Sequence, residues 1–462
     1  FMLLFAGESM ASGHTVNLIS PENNTTTNLN NNSLKFIYNH TGTLTGIVNC
    51  TLYLDGNPVN YSTDVSANTS WTVYSNQSWS EGTHYWYVNC TNGTDTESSL
   101  DIGQNYTFTA DFTPPNITNV RNATPMATTV HILWNLTNFN WSNRVEYSNN
   151  SDMSNSTWSQ WQNNTQNPKI KLWSLQPNTT YYYRVYSYNP DNSSIYSNSS
   201  VYNFTTQECV SYKLVNATDT SITGIDHPIQ EAIDMICLDG GTVELAPGVH
   251  TPTSSIQIIN RTNMTIRGRG ASREDTEIKF GAPRPTFDVF FIKNSTNITI
   301  ENIYIYSTDT SYIHKSDGKA ISIIPFADNI KILNVRAEWL GAGVRTHSVA
   351  GWAWPEENQW NQNITIENCF FSHCRDGITF WTTRNSRVTG CEISYIQEWP
   401  GINMNVVNLN HTFENNILHH NYLAGLYSYG SCSGNVIRNN TCLLYTSDAA
   451  DEGLGVDLGG RR

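Results

Sequence analysis

The stretch NCFFSHCRDGITFW, residues 368–381, gathers two thiols, an imidazole, a guanidinium, a carboxylate and an indole around one glycine. Several chemistries need such groups. A structural metal site needs short paired Cys/His spacings, and the sequence lacks them. Glycosidic hydrolysis needs two carboxylates, one acid and one base or nucleophile. Asp376 could find its partner in Asp317, Glu338 or Glu398. β-Elimination from a uronic acid needs a base for the C5 proton and a cation to neutralise the sugar carboxylate. Arg345, Lys319 or His347 could serve there, with Ca²⁺ held by Asp376 or Asp317 as the one cofactor to consider. The catalytic candidates are therefore Asp376, Arg345 and His347, and no metal ligand set is assigned. The plainer reading of His373, Arg375 and Asp376 is decoration of a turn.

Residues so far apart meet only if the chain repeats. Segments MTIRGRG, ITIENIYIY, IKILNVRAE, ITIENCFFS, RVTGCEISY, TFENNILHH and VIRNNT align on Ile266, Ile300, Ile332, Ile366, Val388, Phe413 and Ile437, at intervals of 34, 32, 34, 22, 25 and 24. The short intervals read as one turn of a coil and the long ones as a turn plus a loop. Two positions after each anchor stand Gly268, Asn302, Asn334, Asn368, Gly390, Asn415 and Asn439. Asparagines stacked at a sharp bend satisfy backbone groups and one another. Cys369 aligns with Cys391, so these two stack or bridge.

A second strand follows each anchor: GKAISII, GAGVRTH, DGITFWT, PGINMNV and AGLYSYG. Strand side chains alternate between faces. Ile321, Val344, Ile378, Ile402 and Leu426 then point inward. Ser322, Arg345, Thr379, Asn403 and Tyr427 form one outward column, and His347, Trp381, Asn405 and Tyr429 a second. Aromatic faces stack on sugar rings and amides bond hydroxyls. Trp381, Asn403, Asn405, Tyr427 and Tyr429 are the substrate-binding candidates. The loop THSVAGWAWPEENQW adds Trp352, Trp354, Glu356, Glu357 and Trp360, and Trp399 comes from the next turn.

This third module, residues 207–441, resembles the right-handed parallel β-helices of the pectate-lyase-like superfamily. HPIQEAIDMICLDGGTVELAPGVHT resembles their opening, a short helix that caps the coil and shields its strand edge. Ile229, Ala232, Ile233 and Ile236 fall at helical spacing, and a Gly-Gly stop follows. The resemblance implies that the second strand of each turn floors a polysaccharide groove. The chain departs from the enzymes in motif: it has no paired Asp-Asp, no Gly-His-Gly, no Arg-x-Lys and no Arg-x-Pro-x-x-Arg at the expected places. The fold carries over and a specific activity does not. A catalytic groove would make the protein a polysaccharide lyase or glycoside hydrolase.

Two sandwiches are expected ahead of it, giving an all-β chain. Residues 14–112 carry GIVNCTLYLDG and THYWYVNCTNG, and resemble an immunoglobulin-like domain. That resemblance implies a Cys50–Cys90 disulfide stapling two facing sheets. Residues 113–206 resemble a fibronectin type III domain through LQPNTTYYYRVYSYN. It implies a tyrosine corner at Tyr181 and a core tryptophan at Trp134.

Composition sets the surroundings. The net charge of −14 argues against a nucleic-acid partner. Asn-x-Ser/Thr triplets recur, at Asn39, Asn60, Asn135, Asn216, Asn297 and Asn363 among others, as in a secreted glycoprotein. Nine cysteines, eight without Cys442, suggest disulfides in that setting. The expected location is extracellular or cell-surface, and the expected partner a polysaccharide or glycan, with cell-surface partners besides. The leading expectation is carbohydrate binding or processing in the β-helix groove. The alternative is a non-catalytic adhesin or surface-layer protein. Residues 1–13 read as the remnant of a signal peptide. Residues 442–462 abandon the Asn-rich idiom, and CLLYTSDAADE resembles translated sequencing adapter of the kind found in environmental sequence.

Overall fold

The computed structural model describes residues 15–27, 34–41, 47–76, 78–94, 96–137, 141–163, 165–189, 195–314, 316–347 and 360–443. The expected signal remnant, Trp352, Trp354, Glu356, Glu357 and all of the tail past Leu443 lie outside them. The chain divides into two compact units. One comprises residues 1–122, 131–171 and 181–204, the other 123–130, 172–180 and 205–462. The architecture is all-β, with sandwich-like sheets first and a right-handed parallel β-helix after them.

In the first sandwich, strands Thr15–Ser20, Lys35–Thr41 and Ser70–Tyr74 form one sheet. The facing sheet centres on Asn49–Leu54 and Gly82–Thr91. Alternating burial along each strand puts Phe36 against Trp79, Trp86 and Phe108 in the shared core. Cys50 and Cys90 are bonded, but the expected staple between facing sheets is corrected: they are direct antiparallel partners on neighbouring strands of one sheet. Both thiols face inward in either arrangement, so spacing alone could not separate the two.

The second sandwich packs Val130–Leu136 and its neighbours against the sheet of Ser142–Ser148 and Thr180–Tyr188. Trp134 is buried, its indole N–H reaching Ser187 Oγ at 3.4 Å. Tyr181 is buried against Phe204, ring centroids 5.7 Å apart.

In the second unit the helix Pro228–Met235 plugs the start of the coil, with Ile229, Ala232, Ile233 and Ile236 in the core. It ends before the expected Gly-Gly. Ile236 is already extended and bridges Val210, and Cys237 is bonded to Cys209. Arg261, itself buried, donates to the carbonyls of Ile236 and Ile233 and so satisfies the helix end.

Beyond it the coils stack as the repeats require. The seven anchors pair in register from Ile266 through Ile300, Ile332, Ile366, Val388 and Phe413 to Ile437. All but the last, in the terminal coil, are fully buried. The asparagines after them adopt the left-handed conformation, φ between 50° and 56° from Asn302 to Asn439, which bends the chain between two sheets. Asn334 Nδ2 donates to Asn302 Oδ1 at 2.9 Å, and Asn302 Nδ2 to Gly268 O at 3.1 Å. Of the two arrangements open to Cys369 and Cys391 the coil takes stacking: both are buried free thiols, and Cys374 and Cys432 are also unpaired. A buried thiol here serves as a small apolar filler. The strand Thr441–Leu443 pairs in register with Ile417–His419, Leu418 opposite Cys442.

Candidate functional site

The second face of the coil carries the groove. Its strands are Ile321–Ile323, Ala342–Thr346, Asp376–Arg384, Ile402–Leu409 and Leu426–Ser433. Ile321, Val344, Ile378, Ile402 and Leu426 are direct partners along the inner side. Parallel pairing without a shift then forces the next residues into one outward column: Ser322, Arg345, Thr379, Asn403 and Tyr427. Trp381, Asn405 and Tyr429 make a second column.

Arg345, Asp376, Trp381, Asn403, Asn405, Tyr427 and Tyr429 all line one groove of about 640 Å³, together with Arg375, Thr379, Trp399 and Leu423. His347 is not in that lining. It lies past the end of its strand, where burial first and Arg345 second push its imidazole down to about 4. It is neutral at pH 7, and Trp381 heads the second column without it.

The groove has one charged knot. Arg375 Nη1 lies 3.2 Å from Asp376 Oδ1, and Arg345 Nη1 lies 3.7 Å from Asp376 Oδ2. On its other edge Arg375 grips Glu398 twice, Nε to Oε2 at 2.6 Å and Nη2 to Oε1 at 3.0 Å. Tyr312 Oη also donates to Glu398 Oε2, at 3.3 Å. Burial pushes the Asp376 carboxyl above its ordinary range, and the two arginines only partly pull it back. Arg345 also lies over Trp381, 5.6 Å from the ring centre, and Arg375 over Trp399 at 5.9 Å. The floor column is under-satisfied. Arg345 Nε, Thr379 Oγ1 and Asn403 Oδ1 are screened from solvent and have no partner among the described residues. Leaving such groups unpaired is costly, and a ligand hydroxyl can satisfy them.

The other offered residues go elsewhere. Asp317 is gripped by Arg284 at 3.0 Å, inside the turn it shares with His314. Glu338 is on the strand Arg336–Glu338, outside the groove strands, bonded to Tyr304 and Arg336. Lys319 pairs with Asp288 at 3.3 Å. His373 is stacked between Trp339 and Tyr395, with ring centres 4.5 and 4.9 Å away. Calcium fits poorly: Asp376 and Asp317 are each held by arginine, which repels a cation from the same oxygens. Among the described residues no three His, Cys, Asp or Glu side chains are grouped to hold a metal. Two groove members escaped the sequence. In the sequence Arg375 reads as part of the turn, and its place beside Asp376 is the one signal that it lines the groove. Leu423 sits in a non-periodic loop and gave none.

Residues 288–451 match the family model described as "Right handed beta helix region". No curated protein matches the chain in sequence. Among solved structures, the chain is similar to a Yersinia enterocolitica family 28 exopolygalacturonase at 12% identity, covering 72% of this chain and 81% of that one, with a TM-score of 0.31. It is similar to the Agl-KA catalytic domain at 12% identity, covering 72% and 77%, with a TM-score of 0.35. It is also similar to the FN1-FN3 domains of chicken CNTN1 at 12% identity, covering 42% and 68%, with a TM-score of 0.25. Superpositions this loose carry no argument about activity. What the family match supports is the repeating coil on which the groove is built.

Proposed function

We propose that this is an extracellular or cell-surface glycoprotein that takes a polysaccharide chain into the β-helix groove. One observation carries the reading. The outward columns bring Trp381, Tyr427 and Tyr429 to the same groove as Arg345, Asn403 and Asn405, and Arg375 and Trp399 join them from outside those columns. Rings for stacking beside fixed donors and acceptors are what sugar recognition needs. The sequons and the two disulfides support an oxidising location. The test is a polysaccharide panel assayed for binding. Trp381→Ala and Tyr427→Ala should each weaken the best ligand by about tenfold or more, the worth of one buried ring. Wild-type affinity in both variants would remove the groove as the site.

A second reading, hydrolysis, rests on Asp376 and Glu398. They share one guanidinium, and burial favours the protonated form of Asp376. That is the asymmetry an acid and its partner carboxylate require. New reducing ends released by wild type, and cut about a hundredfold or more in Asp376→Asn, would establish it. Binding without any product would leave the adhesin reading in its place.

A further inference from the structure

We propose a second ligand surface, on the outer face of the larger sheet of the second sandwich, that binds an acidic polysaccharide through Arg144. Nothing in the groove is needed for it. The guanidinium carbon of Arg144 lies 3.7 Å from the ring centre of Trp158, 4.4 Å from Trp161 and 4.9 Å from Tyr188. Its Nη2 donates to Tyr188 Oη at 3.2 Å, and its Nε is screened from solvent. No carboxylate among the described residues pairs with it. The nearby Glu146 is buried and already taken by Arg184 at 2.6 Å and by Tyr186 at 3.0 Å. Most other arginines of the described chain hold a carboxylate, including Arg184, Arg267, Arg284, Arg336, Arg375 and Arg438. In a chain of net charge −14, a caged cation without a counter-ion is the exception.

The cage fixes the guanidinium plane and leaves Nη1 as its unbonded end. A sugar carboxylate or sulfate can accept from that end without displacing an internal partner. The rim supplies the rest. Trp161 is 51% exposed, Tyr196 47% and Trp158 38%. Tyr196 is stiffened by stacking on Tyr188, ring centres 5.3 Å apart. The neighbours Gln160, Gln162, Asn163 and Asn198 are amides rather than aliphatics. Rings bordered by amides suit a hydroxyl-rich ligand, whereas a protein partner would favour a broader apolar centre.

The experiment uses the full chain carrying Trp381→Ala, so that the groove is weakened, and measures binding to alginate (carboxylated), dextran sulfate and neutral dextran. In that background Arg144→Gln should weaken binding to at least one charged polymer by about tenfold, the worth of one charge-assisted contact, and leave dextran unchanged. Tyr196→Ser lies on the exposed rim and should weaken the same polymer severalfold without lowering the melting temperature. If Arg144→Gln lowers the melting temperature, Tyr196→Ser alone decides. Charged polymers bound with unchanged affinity by both variants, or not bound by the parent chain at all, would overturn the proposal. So would an equal loss on dextran. Because Trp381→Ala is common to the parent and both variants, the differences between them report on this surface and not on the groove.

Discussion

At the scale of single residues, the fold hides groups whose protonation it cannot tolerate. His411 is buried, with Nδ1 accepting from the Ser386 amide and the ring stacked on Phe380, centres 5.1 Å apart. Burial pushes its imidazole down to about 4, as it does for His347. The unfolded chain takes up these protons near pH 6.5 and the folded chain only near pH 4. The stability they contribute is therefore complete above about pH 6.5 and is lost as pH falls through 4, by ~3 kcal/mol for each histidine. Denaturant unfolding at pH 7.5 and pH 4.5 should show this loss, and His411→Asn should remove part of it. A β-helix transition independent of pH over that range would contradict the assignment.

At the scale of the element, the bend after each anchor is set by an asparagine in the left-handed conformation that also bonds its neighbour. Asn334→Ala should cost ~2 kcal/mol, the sum of a strained alanine and one lost side-chain bond. Asn334→Gly should cost about half of that, because glycine accepts the angle freely. Gly390 already holds the equivalent position at φ 62°. Equal costs for both variants in urea unfolding would separate the ladder from the angle. This periodicity is why so much of the coil was legible. A parallel repeat fixes register, and register fixes which side chains share a face, so Arg345, Thr379, Asn403 and Tyr427 could be placed in one column from spacing alone. Pairings that depend on distance were not legible. Cys50 and Cys90 face the same core whether they join one sheet or two. Cys209–Cys237 crosses the end of the helix, where no repeat applies. Asp317 looked available beside the groove, and only its tie to Arg284 removes it.

At the scale of the whole molecule, two compact units make a single unfolding midpoint an unsafe description. The Cys50–Cys90 bond closes a loop across 40 positions in the first unit. Replacing both residues by alanine should destabilise that unit by ~3–4 kcal/mol, the entropy returned to its unfolded chain. Scanning calorimetry should show one transition moving down while the β-helix transition stays in place. A parallel shift of both would mean that the units unfold together.

The knot of Arg345, Arg375, Asp376 and Glu398 has a consequence for how a ligand arrives. With both carboxylates ionised, its two formal positive charges and two negative ones cancel. Such a site projects little field beyond the Debye length of about 10 Å, so it does not steer a passing charged chain toward itself. Encounter with the groove is then left to diffusion and contact. The association rate should change little between low and high ionic strength, and selectivity should reside in how slowly the captured chain leaves.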